Sequence, residues 1–106
     1  MKTTISIPHH EYPAAVRERV AAKLQHLARY FDRIVSIRAL LERQGEQHRV
    51  ELVANVGHGA TLVVDARGPG LEAALDDAQD RMARVLRRHK DRLDDRHRRS
   101  GRGARP

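Results

Sequence analysis

The chain has 106 residues, 21 Lys/Arg against 14 Asp/Glu, a net charge of +7, a pI near 11.0 and no cysteine. That length suits one domain with a modest core, and the absent cysteine excludes disulfides, a thiol nucleophile and thiolate metal sites. The opening MKTTISIPHH lacks an apolar run of signal-peptide length and no stretch approaches a membrane span, so the expectation is a cytoplasmic protein with no membrane partner.

Thr3-Thr4-Ile5-Ser6-Ile7 alternates polar and apolar and is β-branched, which predicts a short strand ended by Pro8. Pro13 suits a first helical turn, although Tyr12 is a poor capping residue. Val16, Val20, Leu24, Leu27 and Phe31 then recur at helical spacing, predicting an amphipathic helix over roughly 13–31. From Arg33 to Leu41 the period becomes two, with Val35, Ile37, Ala39 and Leu41 on one side. Arg43-Gln44-Gly45-Glu46 reads as a turn. Val50, Leu52, Ala54 and Val56 form the next inward set, Gly57-His58-Gly59 a tight turn, and Leu62, Val64 and Ala66 the last strand. Three strands joined by short turns make an antiparallel meander. Gly68-Pro69-Gly70 breaks the strand before a second helix. Its stripe is Leu71, Leu75, Ala78, Met82, Val85 and His89, and its end is expected in the mid-90s.

The expected architecture is therefore α+β, in the order β-α-β-β-β-α: a four-stranded sheet with two helices packed on one face. The strand-helix-strand crossover should be right-handed. The other sheet face would show Arg38, Arg49, Glu51, Asn55 and Asp65 to water, as antiparallel sheets allow. Residues 1–95 form the single domain, and the Gly- and Arg-rich residues 96–106 are expected to be a disordered basic tail.

The positive charge is unevenly placed. Residues 1–80 hold 10 Lys/Arg against 11 Asp/Glu, whereas residues 81–106 hold 11 against 3. Such a block is the usual footprint of a nucleic acid or an acidic surface. On the second helix Arg81, Arg84, Arg88 and Arg92 share one flank, about a quarter turn from the apolar stripe, while Arg87 and Lys90 point elsewhere. On the first helix Arg19, Lys23, His26 and Tyr30 form a similar line, with Arg29 further round. Early acids and late bases on the second helix complement the helix dipole, and Asp77 with Arg81 and Asp80 with Arg84 are i,i+4 pairs. Those effects fade beyond a terminal turn and do not account for a four-residue line. A cation row repeating about every 5–6 Å matches the spacing of RNA phosphates, which arginine grips bidentately. With only Tyr12, Tyr30 and Phe31 as aromatics, the chain lacks a platform for stacking single-stranded bases, so RNA contact should be to phosphate and shape.

Other chemistry finds little support. The seven histidines include the adjacent His9 and His10 but no HExxH and no i,i+4 pair, and His89 reads as a satisfied core-edge histidine. No serine stands in a nucleophile elbow, the Asp76-Asp77 and Asp94-Asp95 neighbours diverge on a helix, and no GxxxxGK[ST] is present. The expectation is no enzyme, metal, cofactor or small-molecule substrate.

In chain order, LARYFDRIVSIRALLE, VGHGATLVVDA, LEAALDDAQDRM and LRRHKDRL resemble the ribosome hibernation promoting factor family, which includes the ribosome-associated inhibitor. The likeness runs from Ile5 to about Leu93. It implies a β-α-β-β-β-α fold akin to double-stranded-RNA-binding domains, and binding to the small subunit's 16S rRNA, and the 70S ribosome, in the mRNA and tRNA channel; the protein itself is expected to be a monomer. There it would block translation and preserve idle ribosomes under stress or in stationary phase. Position by position it implies rRNA contacts at Lys23, Arg29, Arg81, Arg84 and Arg88, with His26 where relatives often carry lysine. Relatives usually open the second helix with Asp-Met-Tyr-Ala-Ala-Ile-Asp, where this chain has Gly70-Leu71-Glu72-Ala73-Ala74-Leu75-Asp76. The resemblance is to the short form, which lacks the second domain of long members. The basic tail points to the promoting-factor branch. On charge and topology alone, a general double-stranded-RNA-binding module is the alternative.

Overall fold

The computed structural model describes residues 1–8 and 12–103, without the side chains of Tyr30, His58 and residues 94–103. His9 and His10, weighed above for metal, lie outside the described residues. The elements are β1 (Lys2–Ser6), α1 (Ala14–Tyr30), β2 (Ile34–Gln44), β3 (Gln47–Val56), β4 (Ala60–Gly68) and α2 (Leu71–Gly103), with a 3-10 turn at Gly57–Gly59. The sheet order is β1-β2-β3-β4, β1 pairing parallel with β2 and the other pairs antiparallel. The expected order and the four-stranded sheet with two helices are present.

Both helices bury their stripes in one core. Val20, Leu24 and Leu27 of α1 and Ala74, Leu75, Ala78, Met82 and Leu86 of α2 meet Ile37, Ala39, Leu41, Val50, Leu52 and Ala54 of the central strands. Apolar burial is the main stabilising force here. α1 begins without a side-chain cap, as Tyr12 forewarned: Pro13 itself stands at the cap in an extended conformation. The Tyr12 hydroxyl instead shares a 2.7 Å hydrogen bond with His48 Nδ1 on β3, which ties the approach to α1 to the sheet. The hairpin turns rest on Gly45 and Gly59, whose φ of +65° and +77° a side chain would strain.

Three sequence expectations need correction. Val35 is not an inward residue: a register shift between Ile34 and Ser36 leaves it 62% exposed and puts Ile34 in the core. A bulge adds one residue to the alternation, so every position before it changes face. On α2, Leu86 is buried and Val85 only half-buried, so the stripe runs through Ala74, Leu75, Ala78, Met82 and Leu86. Finally, α2 does not stop in the mid-90s. Its backbone is helical to Gly103, about 50 Å from its start. The stretch DRLDDRHRR contains no Gly or Pro to end it before Ser100-Gly101. Residues 104–106 lie outside the described residues.

On the open sheet face, Arg49 of β3 is gripped by carboxylates from three strands. Its Nη1 donates to Glu42 Oε1 at 3.0 Å, Nη2 to Glu51 Oε2 at 2.6 Å and Nε to Asp65 Oδ2 at 2.6 Å. Its side chain is only 15% exposed. Arg49→Ala would leave three carboxylates facing one another. The expected cost is about 1–2 kcal/mol, or a fall in melting temperature of roughly 5–15 °C. A melting temperature within a degree of the parent would show that the cluster adds nothing to stability.

Candidate nucleic-acid interface

The two helices run parallel and side by side, and their contacts rise in step. Arg19 on α1 pairs with Glu72 on α2, and Lys23 with Asp76, each 53 residues apart. Lys23 also reaches Glu72 at 3.5 Å, and Gln79 Nε2 donates to the Lys23 carbonyl at 3.1 Å. The buried stripe of α2 therefore separates two flanks of different character.

One flank faces β4. Arg81, Arg84 and Arg88 line a cleft of about 400 Å³ together with Val63, Asp65 and Val85. Val85 is half-buried on the same side, which holds this flank against the strand. Arg81 Nε donates to Asp77 Oδ2 at 3.1 Å, and Arg84 Nε lies 3.5 Å from the Asp80 carbonyl. Arg84, Arg88 and Arg92 are exposed and have no carboxylate partner among the described residues. β4 is an edge strand, so no further strand of the sheet covers this side. The row expected from helical spacing is present: it is continuous and, apart from Arg81, not paired with a carboxylate among the described residues.

The other flank faces α1, across a groove of about 840 Å³. Glu72 and Asp76 pair with α1 at the seam above it. The lining of the groove carries both signs of charge: Asp80 and Asp91 stand with Arg87, Lys90 and His26, over Leu27, Phe31 and Ala83. Lys23 and His26 thus stand across α2 from the arginine row, separated by about the 10 Å width of a helix. Arg29 is exposed in the last turn of α1, away from both. The expected residues do not converge on one surface. Arg81, Arg84, Arg88 and Arg92 stay together on one flank of α2; Lys23 sits in the seam with Glu72 and Asp76, His26 lines the inter-helix groove, and Arg29 lines neither that groove nor the β4 cleft. Sequence reasoning missed Arg87 and Lys90. Their angular position, opposite the arginine row, was legible, but nothing local said that α1 would lie there.

His89 also differs from expectation. It is half-buried, and its Nε2 is buried with no hydrogen-bond partner in the protein among the described residues. It borders a small pocket lined by Phe31, Ile34, Val56 and Leu86. Among the described residues, no group of three or more His, Asp or Glu is arranged to hold a metal ion, and no helix is long and apolar enough to cross a membrane.

The inter-helix ion pairs shift the groups that form them. The Glu72 carboxyl lies below its usual 4.5, chiefly through the hydrogen bond from Arg19. The Lys23 ammonium is raised above its usual 10.5, chiefly through its hydrogen bond to Asp76, with partial burial opposing. A depressed carboxyl stabilises the fold above its unfolded pKa and loses that contribution as pH falls through the folded value. Lys23, being raised, keeps its share below 10.5 and loses it only as pH rises through a more alkaline folded value. Glu72 is 49% exposed, so solvent screens the effect. The melting temperature of the protein should therefore fall slightly more steeply than that of Glu72→Gln between about pH 5 and pH 3. Parallel profiles would show that Glu72 has no part in acid-side stability.

Residues 3–94 match the family described as Sigma 54 modulation protein / S30EA ribosomal protein. The ribosome hibernation promoting factor of Escherichia coli (strain K12) is 34% identical over 93 residues, covering 88% of this chain and 97% of its own length. That of Azotobacter vinelandii is 30% identical over 92 residues, 87% of this chain and 85% of its own. Among solved structures, the N-terminal domain of Thermus thermophilus Protein Y superposes with a TM-score of 0.74 at 28% identity, over 84% of this chain and 99% of that one. A ribosomal subunit interface protein from Coxiella burnetii has a TM-score of 0.78 at 16% identity, over 86% and 99%, and shares the fold.

Proposed function

Because the chain belongs to the Sigma 54 modulation protein / S30EA ribosomal protein family, we propose that it is a non-enzymatic ribosome hibernation factor of the cytoplasm. It binds the small subunit of idle 70S ribosomes in the channel used by mRNA and tRNA, under stress or in stationary phase. A monomer suffices, because the action is steric: the folded body fills the channel while its cations hold 16S rRNA phosphates. No bond is made or broken.

The observation that carries this reading is the exposed line of Arg84, Arg88 and Arg92 beside the β4 edge, continued upward by Arg81. Successive cations one turn apart meet successive phosphates, and arginine gives each contact two hydrogen bonds. His26, Arg29 and Lys23 add contacts from α1, with Arg87 and Lys90 at the open end of the groove. Residues 1–95 form the binding body. The basic residues 96–106 add contacts to phosphate that are indifferent to sequence.

Sedimentation through a sucrose gradient with ribosomes tests the reading. The protein should travel with 30S and 70S particles at low salt and leave them steeply as salt rises, because phosphate contacts release counterions. A protein that stays at the top of the gradient at low salt has some other partner. The same topology and cation row would also serve a general duplex binder, and competition separates the two. Plain RNA duplex in excess strips a generic binder from ribosomes and leaves a channel-bound factor in place.

A further inference from the structure

The cations of α1 are not equally available to RNA. Arg19 and Lys23 are already engaged by Glu72 and Asp76 of the neighbouring helix, and the Lys23 side chain is only 27% exposed. We propose that Glu72 and Asp76 act as a built-in mask, standing where phosphates would otherwise sit on α1 and weakening the protein's hold on RNA at large. The inference rests on the RNA-binding reading above and names a control on that same surface.

The geometry supports a mask set in the seam between the two helices. Glu72 and Asp76 are one helical turn apart and face Arg19 and Lys23, also one turn apart, because the helices run parallel in fixed register. Further down the same flank of α2, Asp80 and Asp91 line the groove with Arg87 and Lys90, but neither pairs with Arg19 or Lys23. Among the described residues, Glu72 and Asp76 are thus the carboxylates that engage the cations of α1 across the seam. Exposed ion pairs of this kind contribute little to folding, so stability is a weak reason for two matched pairs at this seam. A phosphate approaching Arg19 or Lys23 must displace a carboxylate and then sit beside it. Only an RNA surface that presents phosphates rigidly along the groove meets that cost, whereas loosely fitting RNA is turned away. The mask is a specificity device, raising the threshold for binding without touching the arginine row on the far flank.

The test uses full-length protein, purified ribosomes and a plain RNA duplex. Glu72→Gln with Asp76→Asn should bind the duplex on the order of tenfold more tightly than the parent at low salt. Two newly engaged phosphates should steepen the dependence of log K on log salt by about 1.4 to 1.8. Glu18→Gln with Glu46→Gln, two exposed acids away from the seam, adds the same charge and should gain far less. Lys23→Ala should cost little in the parent and should cancel most of the gain in the unmasked variant. An equal gain in the charge-matched control overturns the mask, as does an equal cost of Lys23→Ala in both backgrounds. If thermal melting shows the double variant unfolded, Asp76→Asn alone carries the same comparison at about half the slope change. If the parent itself ignores ribosomes, the ribosome reading falls and the mask with it. If the parent binds ribosomes and unmasking changes nothing, only the mask falls.

Discussion

Arg84→Glu combined with Arg88→Glu should abolish co-sedimentation with ribosomes and leave the fold intact. Both side chains are exposed and make no ion pair with a described residue, so reversing them removes no internal contact beyond a long Arg84 approach to the Asp80 carbonyl. Surface changes of this kind shift stability by about 0.5 kcal/mol or less. On the ribosome the effect is large. If this flank binds rRNA as proposed, two phosphate contacts would disappear and two carboxylates would be forced against a phosphate chain, which would reduce the salt slope by about 2 before repulsion is counted. The expected loss at low salt is at least 100-fold, of the order that such contacts carry. A circular dichroism melt reports the fold, and the sucrose gradient reports binding. Unchanged sedimentation by a folded double mutant would move the interface off this flank, to the inter-helix groove with Arg87 and Lys90.

Leu75→Ala acts by the opposite route. Leu75 is 1% exposed at the point where α2 lies on the sheet, between Ala74 and Ala78, both wholly buried. Truncation removes apolar contact and leaves a cavity, at an expected cost of about 2–5 kcal/mol. That is a large share of a small domain's total stability of about 5–15 kcal/mol. The melting temperature should fall by more than about 10 °C. Ribosome binding should weaken as well, in proportion to the unfolded fraction, and ribosomes in excess should restore it by mass action. A melting temperature within about 3 °C of the parent would mean that α2 is seated by other residues.

Much of the fold was legible in the sequence because its signals are local. The 3.6 period of Val16 to Phe31 and the alternation of Val50 to Val56 each specify an element without reference to the rest of the chain. The misreadings share a cause. Val35 follows the alternation of β2 and yet points to water, because a bulge is a property of strand pairing and not of one strand. Leu86 and Val85 lie on either side of the ideal stripe, and the sheet decides which is buried. The end of α2 was placed too early because charge density suggested disorder, whereas its Arg, Asp and Leu residues include no helix breaker before Gly101. For the site, the line of Arg81, Arg84, Arg88 and Arg92 followed from spacing along one helix.

By itself the sequence determined the order of elements, the stripe on each helix and the concentration of positive charge beyond residue 80, since periodicity and composition are written within each segment. Only the tertiary structure decided what each flank faces. Packing α1 beside α2 brings together residues 53 positions apart, and that placement turns Lys23 into a neutralised cation, leaves Arg84 and Arg88 open, and puts Arg87 and Lys90 in a groove. Charge alone does not make an interface; its availability depends on which carboxylates the fold sets beside it.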